Sequence, residues 1–258
     1  LSEENTNIMT SANTSPPATP LLSVVVPVKN EAGNIRPLIE EIAQGARSYA
    51  PFEVIYVDDG STDATQKELA DIRKEFSWLR TLHHEESCGQ SAAVRSGVNV
   101  AKAPLVITLD GDGQNDPAYI PALLSVLEAG GPNMGLVAGQ RVGRKDGSFK
   151  SWQSRIANGV RGKILKDGTR DTGCGLKAFR RHVYLALPYF DALHRFMPAL
   201  VKREGYEIGY ADVVDRNRRA GVSNYGLFDR LWVGIMDLAG VWWLIRRRRR
   251  VPKIQEVK

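Results

Sequence analysis

Two aspartates separated by one glycine, Asp110 and Asp112, follow directly on the apolar run Leu105–Leu109 (LVITL). Carboxylates this close, at the end of a buried strand, call for a neutralising cation. Mg²⁺ and Mn²⁺ take oxygen ligands of this kind together with substrate phosphate oxygens. Gln114 supplies a further carbonyl oxygen or positions a metal-bound water. A DxD triplet alone also arises by chance in solvated loops, and its place after LVITL is what gives it meaning. Two more polar clusters follow apolar runs in the same way: Lys29-Asn30-Glu31 after LLSVVVPV, and Asp58-Asp59-Gly60-Ser61 after FEVIYV. A carboxylate at Asp58 can accept hydrogen bonds from ribose hydroxyls or base N–H groups, whereas Asp59 reads equally well as a turn residue. Ser61 and Asp63 have the chemistry of helix caps.

Elements that bring such clusters together must end at one edge. From residue 21 the chain alternates short apolar runs with amphipathic stretches, the pattern of βα units around a mostly parallel sheet. Strands are expected at Leu21–Val28, Phe52–Val57, Leu79–His83, Leu105–Leu109 and Met134–Ala138. Helices are expected at Asn34–Arg47, from Ser61 to about Phe76, and at Ser91–Val100. In open α/β sheets ligands bind at the carboxyl ends of the strands, so the three clusters define one candidate site.

The chain has 258 residues, 43% of them apolar, enough for a full hydrophobic core. Residues 1–20 are rich in Ser, Thr, Asn and Pro and read as a disordered leader without the basic start and apolar run of a secretory signal. Cys88 and Cys174 are too few for a disulfide framework and lack metal-ligand spacing, and neither His83 nor His84 has a Cys or His at ligand spacing; both read as ordinary surface or core histidines. The formal charge is +6, with five consecutive arginines at Arg246–Arg250. They follow the apolar segment Leu231–Ile245, which at 15 residues falls short of the roughly 20 needed to span a bilayer. With Trp232, Trp242 and Trp243 this segment suits the headgroup boundary, and the arginines suit anionic lipid on the cytoplasmic side. The other reading is a helix packed on the domain with a solvated basic tail. Nucleic acid is disfavoured, because the arginines adjoin a tryptophan-rich apolar segment and no recognition module is present.

The motifs VVVPVKNEAGNI, VDDGSTDAT and LDGDGQNDP, in this order and spacing, resemble family 2 of the glycosyltransferases with the GT-A fold. DTGCGLKAFRR resembles the family's aspartate-containing segment, and RRAGVSNYG resembles the Arg-x-x-Gly-x-Ser-Lys-Tyr segment of the dolichyl- and polyprenyl-phosphate sugar synthases. The resemblance implies an α/β, Rossmann-like GT-A domain over residues 21–226, a mostly parallel sheet flanked by helices. An amphipathic, membrane-interface helix with its basic run would follow at 227–250, then a tail at 251–258. It implies that Pro27, Glu31 and Asp58 line a nucleotide pocket, that Asp110, Asp112 and Gln114 hold Mg²⁺ or Mn²⁺, and that Arg218, Ser223 and Arg141 contact donor or lipid phosphate. Arginine suits that bidentate task. Asp171 is a candidate base or sugar-positioning residue, with a turn role as the alternative. Departures from the family pattern are Asn224 for Lys, Leu176 and Lys177 for Phe and Arg, and Asn217 for Pro.

The implied activity is inverting transfer of one sugar from a GDP- or UDP-linked donor to a polyprenyl phosphate, on the cytoplasmic face of the plasma membrane, for cell-envelope glycan assembly. An exposed apolar C-terminal helix also leaves room for a homo-oligomer. A phosphate acceptor is already an anion and needs no base, whereas a saccharide or protein acceptor would need one. A non-catalytic membrane adaptor is the alternative of another class, against which the retained Asp110, Asp112, Gln114 and Arg218 argue. The basic stretch 141–170 can close over a lipid phosphate or be a solvated helix face. Gly173–Ala178 matches the GxGxxA fingerprint, but no strand is expected before it. Absence of Gln-x-x-Arg-Trp favours single-sugar transfer over processive synthesis.

Overall fold

The computed structural model describes residues 19–142, 159, 161–169, 171–216 and 228–247. The expected leader up to residue 18, most of the basic stretch 141–170, the RRAGVSNYG motif, Arg248–Arg250 and the 251–258 tail lie outside these described residues.

Among the described residues, seven strands form one sheet in the order β3-β2-β1-β4-β6-β5-β7. They are β1 (Leu22–Val28), β2 (Phe52–Asp58), β3 (Leu79–His83), β4 (Leu105–Thr108), β5 (Met134–Arg141), β6 (Lys177–Arg180) and β7 (Glu207–Val213). All neighbouring pairs are parallel except those of β6, which runs antiparallel to both β4 and β5. The expected mostly parallel α/β architecture is the one observed.

Helices cover both faces. On one, Val24, Val26 and Val28 of β1 pack with Ile35, Leu38, Ile39 and Ile42 of α1 (Ile35–Gly45) and Leu123, Leu124 and Leu127 of α4 (Ile120–Ala129). Helix α2 (Thr65–Ile72) adds Leu69 and Ile72 to this cluster. On the other face, Val25, Ile55 and Val57 pack with Ala93, Val94 and Val98 of α3 (Gln90–Val100), Val183 of α5 (Arg181–Ala186), and Phe196, Leu200 and Val201 of α6 (Leu193–Arg203). Burial on both faces is why β1, β2 and β4 read as mostly apolar runs and not as alternating ones, with Ser23 and Glu53 near the strand starts satisfying each other through a hydrogen bond of 2.7 Å.

Several local expectations are corrected. Helix α2 starts at Thr65 and ends at Ile72, shorter than the expected run from Ser61 to Phe76. Ser61 does not cap it: its Oγ accepts the Asn30 N–H across the site edge, and Asp63 accepts the Thr65 N–H instead. Strand β5 continues beyond Ala138 to Arg141, and β6 and β7 appear where no strand was expected.

Helix α7 (Phe228–Arg246) occupies most of the 227–250 segment. Val241 is buried and Leu238, Leu244 and Ile245 pack on the α6 cluster, while Arg203 Nε donates to the Leu244 carbonyl. Its other side exposes Ile235, Met236, Trp242 and Trp243. The Arg246 guanidinium lies 3.9 Å from the Trp242 ring centre and that of Arg247 lies 5.2 Å from Trp243. Among the described residues no helix is long and apolar enough to cross a membrane.

Candidate active site

The carboxyl ends of β1, β2, β4, β5 and β7 share one edge of the sheet. Antiparallel β6 brings its first residue, Lys177, to that same edge, in register with Thr108 at the end of β4. The Asp110–Gln114 turn is built there by its own polar groups. Asp110 N–H donates to Asn115 Oδ1 at 2.9 Å, and Gln114 N–H donates to Asp112 Oδ1 at 3.0 Å. Glycine is required inside the turn: Gly113 has φ +74°, and a Cβ at Gly111 would lie 2.3 Å from Val28 Cγ1. The turn is thereby pressed onto the end of β1, beside Pro27.

Asp110 sits between two charge environments. Burial and the neighbouring Asp112 charge push its carboxyl up to about 6, while Lys177 and Arg141 pull it down. Gln90 Nε2 donates to its Oδ1 at 2.8 Å. Gly175 leaves room for the other oxygen, since a Cβ there would lie 2.3 Å from Asp110 Oδ2. Behind Asp110 is a cavity of about 100 Å³, bordered among others by Pro27, Gln90, Lys177, His194 and Arg195. His194 is held by Ser91 Oγ, 2.8 Å from Nδ1. Burial, then Lys177 and Arg195, lower it to about 3, so the ring is neutral at physiological pH.

A second group lies at the end of β5. Arg141 grips Asp171 through two parallel bonds, Nε to Oδ2 and Nη2 to Oδ1 (2.9 Å), and reaches Asp215 Oδ2 with Nη1 at 3.2 Å. Asn115 ties this group to the aspartate turn, its Nδ2 lying 3.4 Å from Asp215 Oδ1. Burial alone would raise Asp171, but Arg141 and the Gly173 N–H outweigh it and hold the carboxyl below its ordinary range. Burial raises Asp215 despite Arg141. Arg216, the next residue, donates its N–H to the Gln114 carbonyl and pairs with Glu41 Oε2 at 2.8 Å and Asp116 Oδ1 at 2.5 Å.

The β1 and β2 ends are more self-contained. Glu31 Oε2 accepts from Asn34 Nδ2 at 2.7 Å. Asp58 accepts the Ser61 N–H at 3.0 Å and lies 2.9 Å from His83 Nδ1. Asp59 organises the 84–89 loop: it meets His84 Nδ1 at 2.7 Å and accepts from Ser87 Oγ and from the Cys88 and Gly89 N–H groups. Its burial would raise it, yet these donors hold it below the ordinary range. The two histidines are thus paired with two acids at the site edge, a pairing that the sequence did not reveal. Ligand atoms of Asp59, His84 and Cys88 also lie within 4.8 Å of one another, a grouping that sequence spacing concealed, although both Asp59 oxygens already accept hydrogen bonds.

The fold therefore gathers Pro27, Asp110, Asp112, Gln114, Arg141 and Asp171 into one region, with Glu31 and Asp58 on the adjoining strand ends. Arg218 and Ser223 lie outside the described residues. Sequence reasoning missed Gln90, Asn115, His194, Arg195 and Asp215 and treated Lys177 only as a departure. Asp215 carried no usable signal, because β7 before it (EIGYADV) is largely half-buried and lacks the apolar run that precedes Asp58 and Asp110.

Residues 23–187 match the family model described as glycosyl transferase family 2. The chain is 38% identical over 237 residues to a dodecaprenyl-phosphate galacturonate synthase of Rhizobium johnstonii, covering 89% of this chain and 68% of the relative. It is 34% identical over 208 residues to an undecaprenyl-phosphate 4-deoxy-4-formamido-L-arabinose transferase of Serratia proteamaculans, covering 80% of this chain and 63% of the relative. The chain thus spans roughly two thirds of the length of these relatives. Among solved structures, a glucosyl-3-phosphoglycerate synthase from Mycobacterium tuberculosis, in complex with Mn²⁺, UDP-glucose and glycerol 3-phosphate, superposes with a TM-score of 0.64 at 19% identity, covering 88% of this chain and 80% of that one. Its complex with Mg²⁺ and UDP gives a TM-score of 0.63 at 20% identity, covering 88% and 79%. That likeness concerns the fold alone; the family match over residues 23–187, with the 38% identical relative, shows that this chain belongs to glycosyltransferase family 2.

Proposed function

We propose that this chain transfers one sugar, with inversion, from a nucleoside-diphosphate sugar to a polyprenyl phosphate. One observation carries the choice of acceptor: Asp171, the candidate base, is locked in a bidentate pair with Arg141 and held ionised. A hydroxyl acceptor needs a base with an accessible carboxylate near its proton; a phosphate acceptor arrives as an anion and needs orientation and charge balance instead.

The donor set fits a hard divalent ion. Asp110 and Asp112 supply oxygen only, Asp112 is 7% exposed, and their mutual repulsion marks a place where a cation is stabilised. Asp110, Asp112 and Gln114 would hold Mg²⁺ or Mn²⁺, which supplies charge stabilisation for the departing diphosphate. Pro27, Glu31 and Asp58 line the nucleotide side. Arg141, with Arg218 and Ser223, orients phosphate oxygens, and the acceptor oxygen attacks the anomeric carbon as the bond to the diphosphate breaks.

The exposed side of α7 supports a reading in which this chemistry takes place on a membrane surface. Trp242 and Trp243 are 41% and 52% exposed, and arginines stack on both rings, an arrangement suited to anionic headgroups of the cytoplasmic leaflet. The relatives' names cover an acidic sugar and a neutral formamido sugar, so the choice of donor turns on this chain's own residues. The test is turnover of GDP- and UDP-sugars with undecaprenyl phosphate in detergent, with and without Mg²⁺ or Mn²⁺, beside Asp112→Ala. Metal-dependent lipid-linked sugar, lost in the variant, is expected. Donor binding with transfer only to a saccharide would move the acceptor, and no donor binding would leave the membrane adaptor.

A further inference from the structure

The cavity behind Asp110 carries more positive than negative charge. Among the residues bordering it, Lys177 and Arg195 are cationic, Asp110 is the one carboxylate, and Gln90 already donates to Asp110. Lys177 is 3% exposed. Its ammonium has three donors, and the hydrogen bond it makes among the described residues goes to the Cys174 carbonyl. A buried ammonium with donors left over is costly unless an acceptor enters. Its position is not accidental packing: the antiparallel register sets Lys177 opposite Thr108, at the strand end from which the aspartate turn departs, and Thr108 Oγ1 fixes the preceding loop through the Gly175 carbonyl at 2.8 Å. Arg195 stands at the exposed rim, one residue from His194, whose ring is fixed by Ser91 and faces the same space.

A donor whose diphosphate sits at Asp110 and Asp112 has its sugar in the next available space, and that space is bounded by Asp110 itself. We propose that this cavity receives the donor's sugar and that Lys177, with Arg195 at the rim, selects a sugar bearing a carboxylate, a uronic acid. The proposal rests on the glycosyl-transfer reading above and adds the substrate class. Two other roles for Lys177 are distinguishable from it. As a counter-ion that merely holds Asp110, or as a ligand of the donor diphosphate, Lys177 would serve every donor equally.

The experiment compares matched donors: UDP-galacturonate with UDP-galactose, UDP-glucuronate with UDP-glucose, and GDP-mannuronate with GDP-mannose. Each is assayed with undecaprenyl phosphate and Mn²⁺ on the full chain, as wild type, Lys177→Met and Arg195→Gln. Wild type is expected to favour one uronate over its neutral partner in kcat/KM. Lys177→Met should reduce that ratio by about 10- to 100-fold, the range for loss of a charged hydrogen bond. Arg195→Gln, at an exposed position that does not threaten folding, should reduce the same ratio by a smaller factor. A neutral donor preferred in every pair, or a ratio unchanged in both variants, overturns the proposal while lipid-linked product still upholds the transfer reading. If no donor gives lipid product, the transfer reading fails by itself, and the same uronate-to-neutral ratio taken from calorimetric Kd values decides the cavity's preference.

Discussion

Replacing Asp171 with asparagine separates a structural acid from a chemical base. Arg141 and Asp171 are 13% and 16% exposed at the side chain and share two parallel bonds, so the change removes the charge from one half of a largely buried pair. Breaking such a pair costs about 3–5 kcal/mol, and the surviving Asp215 contact at 3.2 Å places this case at the lower end, about 3 kcal/mol. For a chain of this size each kcal/mol shifts Tm by about 2–4 °C, so thermal unfolding followed by circular dichroism at neutral pH should show a loss of about 6–12 °C. The deficit has a defined pH dependence. The native Asp171 carboxyl lies below its ordinary value, so its contribution is complete above the unfolded value of about 4 and disappears as pH falls through the native one. Parent and variant should therefore converge in acid. Turnover, measured well below the transition, should persist at a reduced rate. A variant that melts with the parent and yet transfers no sugar would refute the argument, because Asp171 would then be a base and the acceptor a hydroxyl.

Other consequences can be measured separately. Gly175→Ala puts a carbon 2.3 Å from Asp110 Oδ2, so Mn²⁺ affinity measured by calorimetry should fall by about 10- to 100-fold with the far-ultraviolet spectrum retained. Asp110 is held near 6, above its unfolded value of about 4, so metal-free wild type should lose stability as pH rises between these values. Urea midpoints of chelator-treated protein should show this slope, Asp110→Asn should abolish it, and Mn²⁺ should restore stability above pH 6. Arg216→Ala removes the ties to Glu41 and Asp116, which are partly exposed and worth about 1 kcal/mol or less each; Tm should move little, while KM for the lipid phosphate should rise, because Arg216 stands two positions before Arg218 in the chain. Trp242→Ala with Trp243→Ala should weaken co-sedimentation with anionic vesicles more than with zwitterionic ones, and unchanged sedimentation would remove α7 from the membrane contact.

What the sequence by itself determined is the part of the molecule whose physics is local. Strands β1, β2 and β4 are buried on both faces and are therefore mostly apolar, and the polar clusters that follow them mark the one edge where a ligand can sit. Asp58, Asp110 and Asp112 were legible for that reason, as was α7 with its basic end. Strands β6 and β7 were not. The first is four residues long and opens with a lysine that belongs to the site, and the second is largely half-buried at the sheet edge, so neither carries an unbroken apolar signature. The electrostatics were decided by tertiary structure alone. Arg141 meets Asp171 across 30 positions and Asp215 across 74, His83 and His84 find Asp58 and Asp59, and Ser61 serves Asn30 instead of its own helix. Each of these pairings depends on which strands the chain lays side by side. Crossover connections and one reversed strand make neighbours of distant residues, and no local periodicity records that choice.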